Sequence, residues 1–211
     1  TLRLDQRTRA NGMTGAWSLR DAPAGAALAV NAGQFMETGP WGWLVIDGRE
    51  LSYPGRGPLA MAVATDSAGT VHWLPDRRLP AHRGAALPVT AFQSYPVLVD
   101  PAGVVPPPLR RGTAIDLQHR DIRLAMGRLG DGRILFVLTR FARAGRLLER
   151  LPAGLTVPET AALMGALGAR PALMLDGGLS AQLLVRDSTG TALQWPGTRL
   201  VPLALTATAV Y

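Results

Sequence analysis

Short β-prone runs, broken at close intervals by Asp-Gly and other glycine turns, fill this chain from residue 43 onward and restrict it to folds assembled from hairpins. In "WLVIDGRELSY" the pair Asp47-Gly48 separates two such runs, and in "RLAMGRLGDGRILFVLT" Asp131-Gly132 does the same. A type I′ turn needs positive φ at both central residues, which Asp-Gly tolerates, so both stretches predict tight hairpins. "LAMAVATDSAGTVHWL" predicts a hairpin with a longer loop, and "YPVLVDPAGVV" one that turns at Pro101-Ala102-Gly103. The proline-rich "VVPPPLRRG", near 104–112, reads as a surface loop or flap, because the strands on either side need each other to bury their faces.

One helix is clearly marked. "TVPETAALMGALGA" supplies Thr156 as N-cap, Pro158 in the first turn and Glu159 three residues after the cap, which is a capping box. Leu163, Met164 and Leu167 predict its apolar stripe, and Gly168 its end. A second helix is expected over roughly Met13 to Ala22, feeding "ALAVNAG" as the first feeds "ALMLDGG", and the N-terminal ten residues read as a strand or a loose arm. The expectation is an α+β fold in one domain over residues 1–211: a largely antiparallel or mixed twisted sheet built from hairpins, with a few packed helices.

Composition narrows the function. With 211 residues and 47% hydrophobic content the chain can bury a normal core. Its apolar runs, such as Ile134 to Leu138, are far shorter than the ~20 residues that cross a bilayer, so no transmembrane segment is expected. No signal peptide is visible, and a chain that opens at Thr1 without an initiator Met is consistent with a trimmed upstream segment. The formal charge is +7, and all 22 basic residues are Arg. In an Ala/Gly/Pro-rich chain this most simply reflects base composition; an anionic partner is the second reading, since Arg binds phosphate and carboxylate bidentately. Scattered Arg, few aromatics and no nucleic-acid-binding motif argue against a nucleic-acid partner. The lack of Cys removes disulfides, zinc–thiolate sites and thiol nucleophiles. No HExxH, EF-hand, GxSxG, P-loop or dinucleotide pattern is present, so neither cofactor nor metal is expected, although a cation held by Asp176 and backbone oxygens stays open.

In "RPALMLDGGLSAQLLV" an apolar run from Ala172 to Leu175 ends in Asp176 and two glycines. An isolated Asp-Gly-Gly is an ordinary turn. Here so apolar a strand leads in, and "AVNAGQF" echoes the arrangement, with Asn31 closing another short apolar run.

"VNAGQF" followed by "GWLVIDGREL", then "QSYPVLVD", "IRLAMGRLGDGRILFVLT" and "GLTVPETAALMGALGARPALMLDGGLSAQL" resemble, in order, the motifs of the phosphodiester glycosidase family, over about Leu28 to Val185. That family includes the enzyme that removes N-acetylglucosamine from its phosphodiester to uncover mannose 6-phosphate. It also includes many bacterial proteins associated with exopolysaccharides, the branch this sequence is most similar to. Carried over by residue, the resemblance points to Asn31, Gly33 and Phe35, to Ser94 and Pro96, to Arg123 and Gly127, and to Asp176, Gly177, Gly178 and Ser180. Gln34, Tyr95 and Leu179 depart from the residues usual in the family, which bears on the substrate rather than the fold. The resemblance implies a hydrolase acting on a sugar-1-phosphodiester, or a related glycosidic bond, of a surface or secreted bacterial glycan in an extracytoplasmic setting.

The chemistry fits these residue types. Cleavage at the anomeric carbon passes through an oxocarbenium-like state, and a phosphomonoester leaves as a stable anion. Such a site needs a cation for the phosphate, a carboxylate near the anomeric carbon, and amides or hydroxyls to orient the sugar. Arg123 is the expected phosphate clamp, its bland alternative being a surface salt bridge. Asp176 is the expected base or nucleophile, with Asn31 and Ser180 orienting the sugar. His119 is a candidate proton donor or phosphate ligand, and Glu37 a candidate second carboxylate. Asp100 and Asp121 read as turn or surface residues. Gly33, Gln34, Phe35, Ser94, Gly177 and Gly178 are the remaining candidates for binding substrate, and Trp41 in "GPWGW" a candidate sugar platform. Two other classes compete: a non-catalytic carbohydrate-binding or exopolysaccharide-assembly module with the same pocket, and a binder of anionic polymers through Arg charge alone.

Overall fold

Three of the four hairpin signals become antiparallel ladders in the described residues, which are 2–7, 15–111, 117–140 and 154–208 of a computed structural model. By chain contacts there are two compact units, Thr1–Ser94 with Gln182–Tyr211, and Tyr95–Ala181. The antiparallel sheets with a few helices are the α+β class expected from the sequence.

The first unit holds two five-stranded sheets. One runs β1 (Leu2–Gln6), β16 (Leu203–Thr208), β2 (Ala26–Asn31), β14 (Leu183–Arg186) and β15 (Ala192–Trp195). The other runs β6 (Arg49–Ser52), β5 (Leu44–Ile46), β9 (Thr90–Ser94), β7 (Met61–Thr65) and β8 (Val71–Pro75). A small ladder, β3 (Phe35–Met36) with β4 (Gly39–Pro40), follows β2. Interior strands are buried on both faces, which is why "MAVAT" of β7 reads as a continuous run rather than an alternation. Trp43, Val45, Ala62, Ala64, Leu74 and Ala91 form one core cluster, closed by Leu79 of helix α1 (Leu79–Ala85). Trp17, Leu19, Ala29, Leu184, Val201 and Ala204 form another, with Phe35 against it.

The second unit holds a four-stranded sheet in the order β10 (Val97–Val99), β13 (Ala172–Met174), β11 (Arg123–Arg128), β12 (Ile134–Thr139). Helix α3 (Val157–Ala166) lies on β10, β11 and β13, with the short α2 (Pro107–Arg111) beside it. The expected capping box is formed: Thr156 Oγ1 accepts from the Glu159 N–H, and Glu159 Oε2 from the Thr156 N–H at 2.8 Å. Among the described residues no helix is long and apolar enough to cross a membrane.

Several local expectations are corrected. Asp47 and Gly48 take φ of 50° and 75°, the tight turn expected. Asp131 instead uses its carboxylate on the Arg133 N–H (3.0 Å), so β11 and β12 are joined by a five-residue loop, 129–133, with only Gly132 at positive φ. Pro101-Ala102-Gly103 does turn, but β10 pairs with β13 and not with the residues after the turn. Within 104–112 the flap gives way to α2, started by Pro107 and anchored by buried Leu109. Met13 and Thr14 of the expected first helix lie outside the described residues; from Gly15 to Ala22 there is a single 3-10 turn, Leu19–Asp21, because Asp21 bonds back to the Ser18 N–H at 2.8 Å. On α3 the buried stripe is Val157, Thr160, Ala161 and Met164, leaving Leu163 half-buried and Leu167 exposed. Met164 is common to both stripes, and the smaller Thr160 and Ala161 join it and Val157 at the i, i+3, i+4, i+7 spacing.

In the first unit Glu50 joins two elements: it accepts from Arg83 Nε and Nη2 of α1 (2.5 and 2.7 Å) and from the indole N–H of core Trp43 (2.7 Å). The Arg83 bonds, helped by Trp43, hold its carboxyl below the usual carboxylate range. A depressed folded-state pKa gives stability that is complete above the unfolded value of about 4.3 and lost as pH falls through the folded one. Denaturant unfolding followed by Trp fluorescence should therefore show a stability loss below about pH 4.3 that Glu50→Gln reduces. An unchanged acid limb in the variant would contradict this.

Candidate active site

β13 is fully buried, and so is Leu175 after it. The ladder with β11 extends past the strand: the Leu175 N–H donates to the Leu124 carbonyl and the Gly178 N–H to the Ile122 carbonyl, each at 2.8 Å. Residues 175 and 178 are three apart whereas 124 and 122 are two apart, so this edge carries one extra residue. That is the count of a β-bulge, a device that re-aims a side chain. Asp176 occupies the bulge and is half-buried. Both glycines are required by what lies opposite. A Cβ on Gly177 would stand 2.6 Å from the Ile122 carbonyl oxygen. Gly178 has φ +57°, and a Cβ there would stand 2.8 Å from Asp121 Oδ2. Ser180 follows, buried, at the end of the 3-10 turn Gly178–Ser180.

Arg123 opens β11 alongside this bulge and is only 8% exposed, so it is no surface salt bridge. Its N–H donates to Thr139 Oγ1 (3.1 Å), its Nε to the Leu155 carbonyl (2.8 Å), and its Nη2 to the His119 carbonyl. The guanidinium thereby fixes the segments before β11 and before α3. Arg120 reinforces the second, donating to the Gly154 carbonyl (2.9 Å) and to both oxygens of Glu159. Those Arg120 bonds, then the Thr156 N–H, hold the Glu159 carboxyl below its ordinary range. The His119 imidazole is exposed, its Nε2 3.6 Å from Asp121 Oδ2. Asp121 is partly exposed, and its Oδ2 lies 2.8 Å from where a Gly178 Cβ would stand. That position depends on strand pairing and has no local sequence signal.

In the first unit Asn31 ends β2, fully buried, and its Oδ1 accepts from the Gln182 N–H at 2.9 Å. Gln182 in turn takes the Leu19 N–H on its Oε1 (3.1 Å). Gly33 passes so close to β9 that a Cβ would stand 2.5 Å from the Gln93 carbonyl oxygen. Gln34 accepts from the buried Ser94 hydroxyl (2.5 Å), and its carbonyl accepts from the Trp41 N–H (2.8 Å). Phe35 is half-buried, with the Arg199 guanidinium 4.7 Å above its ring. Trp41 is half-buried against Gly55, whereas Trp43 belongs to the core. Glu37 is exposed in the β3–β4 turn. Sequence reasoning missed Gln93, whose Oε1 accepts from the Trp43 and Gly55 N–H groups (2.9 and 2.8 Å) while its Nε2 donates to the Gly55 carbonyl (2.9 Å). A Gln inside the buried strand "TAFQS" was the available signal.

The expected residues thus fall into two sets, Asn31, Gly33, Gln34, Phe35, Glu37, Trp41 and Ser94 in the first unit, and His119, Arg123, Asp176, Gly177, Gly178 and Ser180 in the second. Among the described residues no three His, Asp or Glu side chains converge as a metal site.

A family model described as phosphodiester glycosidase matches residues 24–208. No curated protein matches by sequence. Among solved structures, the zebrafish N-acetylglucosamine-1-phosphodiester alpha-N-acetylglucosaminidase catalytic domain, auto-inhibited by its pro-peptide, superposes with a TM-score of 0.68 at 15% identity, covering 99% of this chain and 73% of that one. A hypothetical protein from Synechocystis gives 0.57 at 19% identity, covering 98% and 56%. An exported-protein candidate from Burkholderia pseudomallei K96243 gives 0.57 at 17% identity, covering 98% and 70%. At these identities the likeness is one of fold.

If Gly177 is required by the close approach of Ile122, Gly177→Ala should lower unfolding stability by about 1–3 kcal/mol, as overpacking does. Gly25→Ala, with nothing within 4 Å of the added carbon, should change it little. Equal urea midpoints for the two variants would contradict the assignment.

Proposed function

The chain belongs to the phosphodiester glycosidase family, and on that premise we propose that it hydrolyses a sugar-1-phosphodiester, with the Asp176 carboxylate acting at the anomeric carbon. The observation that carries this reading is the bulge after β13. Half-buried Asp176 follows the buried strand directly, and the bonds made by the Leu175 and Gly178 N–H groups on either side fix its main chain, as preorganised catalysis demands.

The reaction asks for little acid catalysis, because the departing phosphomonoester is stable as an anion. It asks instead for stabilisation of positive charge at the sugar and negative charge at the phosphate. Asp176 supplies the first. Arg123 supplies the second: it remains protonated at any working pH, and its bonds to the His119 and Leu155 carbonyls fix the guanidinium in place. Ser180, in the same unit as Asp176 and Arg123, serves the sugar as a polar contact. His119, in the same unit as Asp176, is the proposed proton carrier. A glycan outside the cytoplasm is the proposed setting, supported by the family and by the likeness to an exported-protein candidate.

Phosphorus and proton NMR with a panel of sugar-1-phosphodiesters tests the reading. Wild-type protein should release free sugar and a phosphomonoester, and Asp176→Asn, folded as wild type, should retain less than about a tenth of the rate, given the 10²–10⁴-fold effects of such groups. Ligand-induced shifts without turnover by the wild type would indicate a carbohydrate-binding module instead.

A further inference from the structure

We propose that Asp121 is the second catalytic carboxylate of this reaction, the base that takes a proton from the attacking water, with the His119 imidazole passing that proton to solvent. The inference rests on the phosphodiester glycosidase reading above and adds a residue to it.

Three observations converge on Asp121. First, its Oδ2 lies 2.8 Å from where a Gly178 Cβ would stand, so the glycine that turns the chain after Asp176 leaves room for this carboxylate. Asp121 therefore lies beside Gly178, two residues after Asp176 in the same unit. Second, the side chain is oriented. Oδ1 accepts from the Ile122 N–H at 2.8 Å, and the Asp121 N–H donates to the Leu155 carbonyl at 3.4 Å, the same oxygen that Arg123 Nε holds. Oδ2 is thereby turned toward Gly178 and toward His119 Nε2, 3.6 Å away. Third, the pair is reachable by water: the Asp121 side chain is 28% exposed and that of His119 53%. A contact of 3.6 Å is longer than a hydrogen bond, as acid–base contacts often are before substrate binds.

The oxygen of a water molecule attacks the anomeric carbon while the bond from that carbon to the phosphate oxygen breaks, its electron pair leaving on the phosphomonoester. One water proton passes to Asp121 Oδ2, from there to the unprotonated Nε2 that a relay through His119 requires, and then to solvent. Asp176 offsets the positive charge developing on the sugar and is unchanged at the end. A carboxylate whose only duty was to cap the Ile122 N–H would be replaceable by Asn, whose side-chain oxygen accepts the same bond.

The test compares kcat and KM of wild type, Asp121→Asn, Asp121→Gly with and without added formate, and His119→Gln on a sugar-1-phosphodiester that the wild type turns over. Asp121→Asn should lower kcat about a hundredfold or more, the size of a lost general base, with KM within about threefold. Formate should restore part of the rate to Asp121→Gly but not to wild type, and His119→Gln should lose about tenfold or less, since solvent can replace a relay. An Asp121→Asn kcat within about threefold of wild type, or a loss confined to KM, would overturn the inference while leaving the glycosidase reading intact. Failure of the wild type to turn over any sugar-1-phosphodiester would overturn both.

Discussion

The hydrogen bond from the Gly178 N–H to the Ile122 carbonyl is the contact on which the candidate centre depends. Together with the bond from Leu175 to Leu124 it closes a loop of fixed size around Asp176 and Gly177. Two main-chain bonds fix the backbone from which Asp176 projects, and that backbone is set by the buried β11–β13 ladder. The glycines follow from the same constraint. One lets two backbones approach, and the other reverses the chain beneath the Asp121 carboxylate.

Around this contact the buried guanidinium of Arg123 plays two parts. An ionised group removed from water is costly unless its donors are satisfied, and the carbonyls of His119 and Leu155 satisfy two of them. The same bonds tie together segments far apart in sequence, so the charge proposed to meet the phosphate also holds the chain around it. Arg120 and Glu159 lie further out, where solvent weakens their pairing, and their contribution is to hold the start of α3 in position.

What was legible in the sequence was local. Asp47-Gly48 and the Thr156–Glu159 box each form their decisive bonds or angles within four residues, and both are where the residue types place them. The strand leading into Asp176 was legible because burial on both faces removes the alternation. Asp131 was misread because its side chain competes for the turn that its backbone was expected to make. The α3 stripe was misread because large side chains outweighed the small Thr160 and Ala161 that face the sheet. Asp121 and Gln93 could not be assigned from their neighbours at all: the first takes its meaning from Gly178 and the second from Gly55, contacts that exist only once strands pair. The order of the motifs identified the family, but not which of their residues hold the chain and which face a ligand. Asn31 and Gly33 illustrate this, one bonded to the Gln182 N–H and the other pressed against Gln93.

The most direct measurement is a crystal structure of Asp176→Asn with an intact sugar-1-phosphodiester bound. The account predicts the residue 176 side chain in contact with the anomeric carbon, within about 4 Å. A sugar seated elsewhere on the protein, with residue 176 away from the anomeric carbon, would contradict it.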